Sequence, residues 1–161
     1  MRGGSLPPAL LFAALGLVLA FAPRRAALFA IGASAAVAIG VAVAPIPGAW
    51  REGVFLMCWA SLLATAAGVH LPRGVPAAAF IAAAINAGIW AGAVSAVSES
   101  PGDLFKAMFG LTIVVPALLL VRLRATVAVK VVSSWLIAVA VLAATLPFLP
   151  VTPGYLPDHL E

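Results

Sequence analysis

Residues 77–98 read AAAFIAAAINAGIWAGAVSAVS, an uncharged run as long as the roughly 20 residues that an α-helix needs to cross a membrane. Further apolar stretches of similar length lie at about 6–22, 26–44, 54–71, 104–121 and 127–149. Most prolines lie at or outside the ends of these stretches, where a missing backbone N–H costs little. The pattern predicts an all-α, polytopic integral membrane bundle of six transmembrane helices joined by short loops.

The composition indicates a chain that uses lipid as its solvent. Of its 161 residues, 65% are apolar and 9% are charged, and the mean hydropathy is +1.20. We therefore expect a single transmembrane domain over residues 1–161, with 150–161 as a short polar outer tail and the lipid bilayer as the main partner. The basic residues are spread over short loops, so we expect no nucleic-acid partner.

The charges segregate when the connections between the six predicted spans are assigned alternately to the two sides of the membrane. One side holds every acidic residue: Glu52, Glu99, Asp103, Asp158 and Glu161. The first, third and fifth connections lie on the other side, here called the even side, and they hold no acid and six basic residues: Arg24, Arg25, Arg73, Arg122, Arg124 and Lys130. By the positive-inside rule the basic side is cytoplasmic, so both termini are predicted to be non-cytoplasmic, in an inner membrane of bacterial type. Cleavage of the first span as a signal peptide would invert every later loop, so we expect that span to be retained.

Small residues recur every four positions in two of the predicted spans. In the fourth span they are Ala84, Gly88, Gly92 and Ala96; in the second they are Gly32, Ala36, Gly40 and Ala44. Such stripes let helices approach closely in lipid. The sequence therefore predicts four helix-packing glycines: Gly32, Gly40, Gly88 and Gly92. We expect them to pack helices of the same chain against one another. The alternative is contact between chains, in a homo-oligomer or with a membrane-protein partner.

Asn86 and Trp90 lie about 200° around the fourth helix from its small-residue stripe. The third and fourth spans are joined by a tight turn, so Asn86 is predicted to lie at the depth of Ser61 or Thr65. An interhelical hydrogen bond is the simpler interpretation, and a polar contact on a transport pathway is the alternative.

The fifth span contains Gly110 and Pro116, which are predicted to kink or loosen that helix and to act as a hinge.

Residues for catalysis or cofactor binding are not recognisable. The sequence lacks hydrolase, metal-ligand and phosphate-loop motifs, and the single cysteine, Cys58, excludes an internal disulfide and a cysteine-ligated zinc. His70 and His159 are predicted on opposite sides of the membrane, which excludes a bis-histidine haem within one chain. We therefore expect no enzyme activity, no cofactor and no metal.

Two functional classes remain open. No acidic or basic residue lies near the middle of a span, and Lys130 is close enough to a span end for its ammonium group to extend into water. The first class is an oligomeric permease or channel-like component that is not driven by a buried charge. The second is a non-catalytic accessory or scaffold subunit of a larger membrane complex.

Overall fold

The computed structural model describes residues 5–71, 75–98 and 101–148, and within those ranges the chain is helical and has no strand. The helices are α1 (Leu6–Leu19), α2 (Arg24–Ala42), α3 (Arg51–Ala67), α4 (Ala77–Val97), α5 (Pro101–Met108), α6 (Val114–Arg122) and α7 (Thr126–Thr145). Short 3-10 turns flank or join them at Gly48–Trp50, Gly68–His70, Phe109–Ile113 and Leu146–Phe148. The all-α prediction is therefore confirmed for the described residues, and the predicted tail at 150–161 lies outside them.

Five helical segments are long and apolar enough to cross a membrane. They are α2, α3 with its flanking turns (Gly48–His70), α4, the α5–α6 segment (Gly102–Arg122) and α7. These segments mark the chain as an integral membrane protein. The first predicted span is different: α1 has 14 residues and ends at Leu19. At 1.5 Å per residue it is about 21 Å long, less than the hydrocarbon thickness of about 30 Å.

The short helix α1 lies at the centre of the bundle. Ten of its residues are buried, and Leu11, Phe12 and Leu15 are completely inaccessible to solvent. It packs against α3, α4 and the α5–α6 segment. Because α1 is apolar on every face, it can be surrounded by other helices without burying an unpaired polar side chain.

The GxxxG sequence of α4 packs against the backbone of α2. A Cβ atom added at Gly88 would lie 2.6 Å from the Ser34 carbonyl oxygen, and one added at Gly92 would collide with the Ala38 carbonyl oxygen. The contacts advance in the same direction along both helices, so α2 and α4 run parallel, as expected for two even-numbered spans. Glycine is needed at these two positions because only a missing side chain leaves room for the neighbouring carbonyls.

The α5–α6 segment is interrupted at the first of its two predicted hinge residues, Gly110. The 3-10 turn Phe109–Ile113 contains Gly110, and α6 begins at Val114, so Pro116 lies in the first turn of α6 rather than in a helix interior. A proline in the first turn of a helix removes few backbone hydrogen bonds. The change of helix type lies before Pro116, in the 3-10 turn. A Cβ atom at Gly110 would collide with the Ala9 carbonyl oxygen, so Gly110 also lets this segment approach α1.

Candidate functional site

A side-chain hydrogen-bond network joins α3 and α4. The Asn86 side-chain N–H donates to Ser61 Oγ at 2.5 Å, and Trp90 Nε1 donates to Asn86 Oδ1 at 3.1 Å. Ser61 is buried, and Asn86 and Trp90 are half-buried. The structure thus brings three of the four predicted polar-contact residues together. The fourth, Thr65, is buried one helical turn beyond Ser61 on α3.

A cavity of about 740 Å³ lies at one end of the bundle. Its walls come from the ends of α1, α3 and α6 and from the beginnings of α4 and α7, and they include Phe21, His70, Val75, Val121 and Thr126. The three connections predicted on the even side of the membrane therefore meet around one space. We call this end of the molecule the basic end and this space the basic-end cavity.

The deepest wall residues of the basic-end cavity on α3 and α4 are close to the polar network. Ala64 and Thr65 are the wall residues of α3 farthest from the end of that helix, and Ala83 is the corresponding residue of α4. Thr65 is four residues from Ser61, and Ala83 is three residues from Asn86. The Asn86–Ser61 hydrogen bond therefore lies about one helical turn beyond the inner limit of the cavity.

The ionisable groups in the wall of the basic-end cavity are all bases among the described residues. His70 and Lys130 contribute to its wall, and no acidic residue does so in the described part of the chain. The described acids lie at the opposite end: Glu52 in the first turn of α3, and Asp103 in α5, where Lys106 Nζ lies 3.0 Å from its carboxylate. The cavity thus has a wall of mixed polarity, and the ionisable groups among its described wall residues are bases.

A second, smaller cavity of about 460 Å³ adjoins the first and is lined by Phe21, Val121, Arg124 and Thr126. Three of these residues also line the basic-end cavity, and Arg124 is the residue that it adds. Arg124 therefore lies beside the larger cavity, and we call the smaller space that it lines the mouth.

Arg124 has an unusual backbone conformation. Its φ angle is +60°, in the left-handed region that glycine normally occupies after a helix. The Arg124 N–H donates to the Val121 carbonyl at 3.1 Å, and the Ala125 N–H donates to the Leu120 carbonyl at 2.8 Å, the two bonds of a Schellman motif that ends α6. A left-handed conformation costs a residue with a side chain on the order of 1 kcal/mol.

The predicted packing glycines fall into two groups. Gly88 and Gly92 lie against α2, whereas a Cβ atom at Gly32 or Gly40 would have no atom of another described helix within 4 Å. The face of α2 that contacts α4 contains Ser34 and Ala38, which lie about 200° from Gly32 and Gly40 respectively. The structure therefore corrects the within-chain packing role predicted for Gly32 and Gly40, because they are on the outer surface of α2.

Residues that often bind metals or cofactors do not cluster in residues 5–71, 75–98 and 101–148. No group of three or more His, Cys, Asp or Glu in these ranges could hold a metal ion. Cys58 is completely buried within α3, and His159 lies outside the described residues.

Sequence reasoning missed the cavity and its relation to Arg124. The sequence did identify Arg124 and Lys130, but only as indicators of topology. A non-glycine residue after a helix gives no local sign that its φ angle is positive, so this feature required the structure.

Comparisons with protein-family models, curated proteins and solved structures found no match to this chain. The fold and the cavity therefore define its class directly: an all-helical integral membrane protein with a basic cavity at one end of its bundle.

Proposed function

We propose that this protein is a small multi-pass permease or channel-like component, and that its solute enters the basic-end cavity. The observation that carries the proposal is that a cavity of about 740 Å³ extends to within about one helical turn of the Asn86–Ser61 hydrogen bond. Cavities of about 300–1,000 Å³ with few polar wall groups are typical of small-molecule sites. Bacterial inner-membrane location, a cytoplasmic basic end, non-cytoplasmic termini and the absence of enzyme activity belong to the same proposal.

The Asn86–Ser61 pair is the proposed inner gate of this pathway. The Asn86 side-chain N–H donates to Ser61 Oγ and Asn86 Oδ1 accepts from Trp90 Nε1, so a solute that passes between α3 and α4 must replace at least one of these hydrogen bonds. Uncharged hydrogen-bonding groups can make this exchange without moving an ionisable group through the bilayer. Gly110 and the 3-10 turn Phe109–Ile113 are the proposed hinge, since a change of helix type often marks one.

Cysteine accessibility tests the proposal without knowledge of the solute. Ala83 lines the cavity and is half-buried, whereas the native Cys58 is completely buried. We expect Ala83→Cys to react with a membrane-impermeant maleimide added from the basic side, and wild-type protein, with Cys58 alone, to stay unlabelled. A pathway that alternates between the two sides would also allow labelling from the opposite side.

The outcome of the labelling experiment separates the two functional classes. Labelling of Ala83→Cys from both sides supports a permease. Labelling from the basic side only contradicts transport. Labelling of Cys58 in the same sample would identify unfolded protein, so the test controls for misfolding.

An accessory or scaffold subunit is the second candidate, favoured by the outer face of α2. Gly32 and Gly40 lie on this face with no other helix of the described residues against them, and Phe29 beside them is 74% exposed. Small residues next to an aromatic side chain form a surface on which another transmembrane helix can pack closely. A homo-oligomer or a stoichiometric membrane partner on this face is the corresponding proposal, and mass measurement of the native particle after gentle detergent extraction distinguishes the two.

A further inference from the structure

The basic-end cavity and its mouth combine apolar wall residues with two cations. Phe21, Phe80 and Val121 supply apolar surface, while Lys130 on α7 and Arg124 after α6 supply positive charge. Thr126 and Lys130 are four residues apart on α7, so both lie on the helix face directed at the cavity. A ligand that matches this space has a hydrocarbon part and an anionic group.

The conformation of Arg124 indicates that a side chain is required at the mouth. Glycine would occupy this Schellman position without steric cost, yet the chain has arginine there with φ of +60°. Backbone strain of this kind concentrates at binding sites, where it fixes the position of a functional group. The guanidinium group offers a planar set of donors that suits two oxygens of a phosphate.

The position of the cavity favours a lipid over a free solute. Its mouth is formed by helix ends, at the level where apolar spans give way to charged connections. Phosphate groups of bilayer lipids lie at this level, and the apolar wall continues from there toward the membrane interior. A free anion would gain nothing from Phe21, Phe80 or Val121.

We propose that the basic-end cavity binds an anionic lipid, with the lipid phosphate at Arg124 and Lys130 and an acyl chain along Phe21 and Phe80. This inference concerns the same cavity and goes beyond the proposed function, because the bound lipid is not the solute that would pass Asn86 and Ser61. It requires no transport step, so binding and movement can be tested separately.

Lipid binding to the purified full chain tests the proposal. The protein is titrated in detergent with phosphatidylglycerol or with phosphatidylcholine of identical acyl chains, and bound lipid is counted by native mass spectrometry. We expect phosphatidylglycerol to bind about tenfold more tightly, and Arg124→Gly and Lys130→Gln each to reduce that preference severalfold. The matched control is Arg122→Gln, which removes an equal charge from the same connection at a residue outside both cavities. The control should retain the preference.

Arg124→Gly also separates binding from folding. Because glycine relieves the left-handed strain, the variant should unfold at or above the wild-type temperature while it loses the lipid preference. Equal affinity for the two lipids would overturn the proposal, as would an equal loss of preference in Arg122→Gln. Binding of inorganic phosphate with the affinity of the lipid would assign the site to a free anion and would also overturn it.

The two proposals fail in different ways. Preferential phosphatidylglycerol binding with labelling of Ala83→Cys from the basic side alone would retain the lipid site and refute transport. Labelling of Ala83→Cys from both sides with no lipid preference would retain the permease and refute the lipid site.

Discussion

Gly92→Ala should weaken the contact between α2 and α4, because the added methyl group has no space. A Cβ atom at Gly92 would lie 2.9 Å from Val41 Cβ and 3.1 Å from the Ala38 carbonyl carbon, besides its collision with the carbonyl oxygen. Two of these three atoms belong to the backbone of α2, so they cannot rotate away. The helices must separate, which forfeits packing along their contact.

The expected magnitude follows from two opposing terms. Overpacking of a close contact costs about 1–3 kcal/mol, whereas replacing a helical glycine with alanine gains up to about 1 kcal/mol. Gly92→Ala should therefore lower the free energy of unfolding by up to about 2 kcal/mol, and by about 1–3 kcal/mol relative to a glycine-to-alanine change at an open helix position. Gly32→Ala is the matched control, since it is a mid-helix position where the new methyl group meets no other helix of the described residues within 4 Å. This control should leave stability unchanged or raise it.

Titration with sodium dodecyl sulfate in mixed micelles measures the difference. Loss of helical circular dichroism reports unfolding, and maleimide labelling of Cys58 reports exposure of the core, because that thiol is completely buried in the folded chain. Both probes should shift to lower dodecyl sulfate for Gly92→Ala and not for Gly32→Ala. Equal stability of the two variants would refute the close α2–α4 contact.

Four further predictions concern two interhelical hydrogen bonds, Pro116 and the orientation of the chain in the membrane. Asn86→Leu and Ser61→Ala, combined in a double-mutant cycle, should show a coupling of about 1 kcal/mol, and independent effects would contradict the hydrogen bond. Ser133→Ala should lose about 0.5–1.5 kcal/mol in the same titration, because Ser133 Oγ donates to the Ala66 carbonyl at 2.7 Å in the buried contact between α7 and α3. Pro116→Ala should change stability by less than about 1 kcal/mol, since the proline is in a first turn; a larger loss would mean that it holds the break in place. A reporter fused to the C-terminus should be active outside the cytoplasm, and strong cytoplasmic activity would exclude the predicted orientation.

Helix positions in this protein were predictable because apolar length is a local property. The second, third and fourth predicted spans agree with α2, α3 and α4 to within a few residues, and prolines precede α2 and α4 as expected. Of the two hinge residues predicted in the fifth span, Gly110 lies in the 3-10 turn and Pro116 lies beyond it. A proline disrupts the regular hydrogen bonding of an α-helix. In this segment the backbone hydrogen bonds already change to the 3-10 pattern at Phe109–Ile113, before Pro116.

The burial of α1 was not predictable from its composition. A helix surrounded by lipid and a helix surrounded by apolar helices need the same kinds of side chain, so hydropathy alone does not distinguish the two environments. The sequence predicted a span over residues 6–22, and only the structure shows that α1 ends at Leu19 after 14 residues.

The small-residue stripes show the same separation between local pattern and tertiary contact. By itself the sequence determined that this chain is helical, that it is apolar enough for a membrane, and that its bases and acids alternate between connections. The stripes of α2 and α4 are equivalent in sequence, yet only Gly88 and Gly92 of α4 meet a neighbouring backbone. The tertiary structure also placed Asn86 on Ser61 and gathered the basic connections around one cavity. These are contacts between distant segments, and their geometry depends on how whole helices pack, which no local pattern specifies.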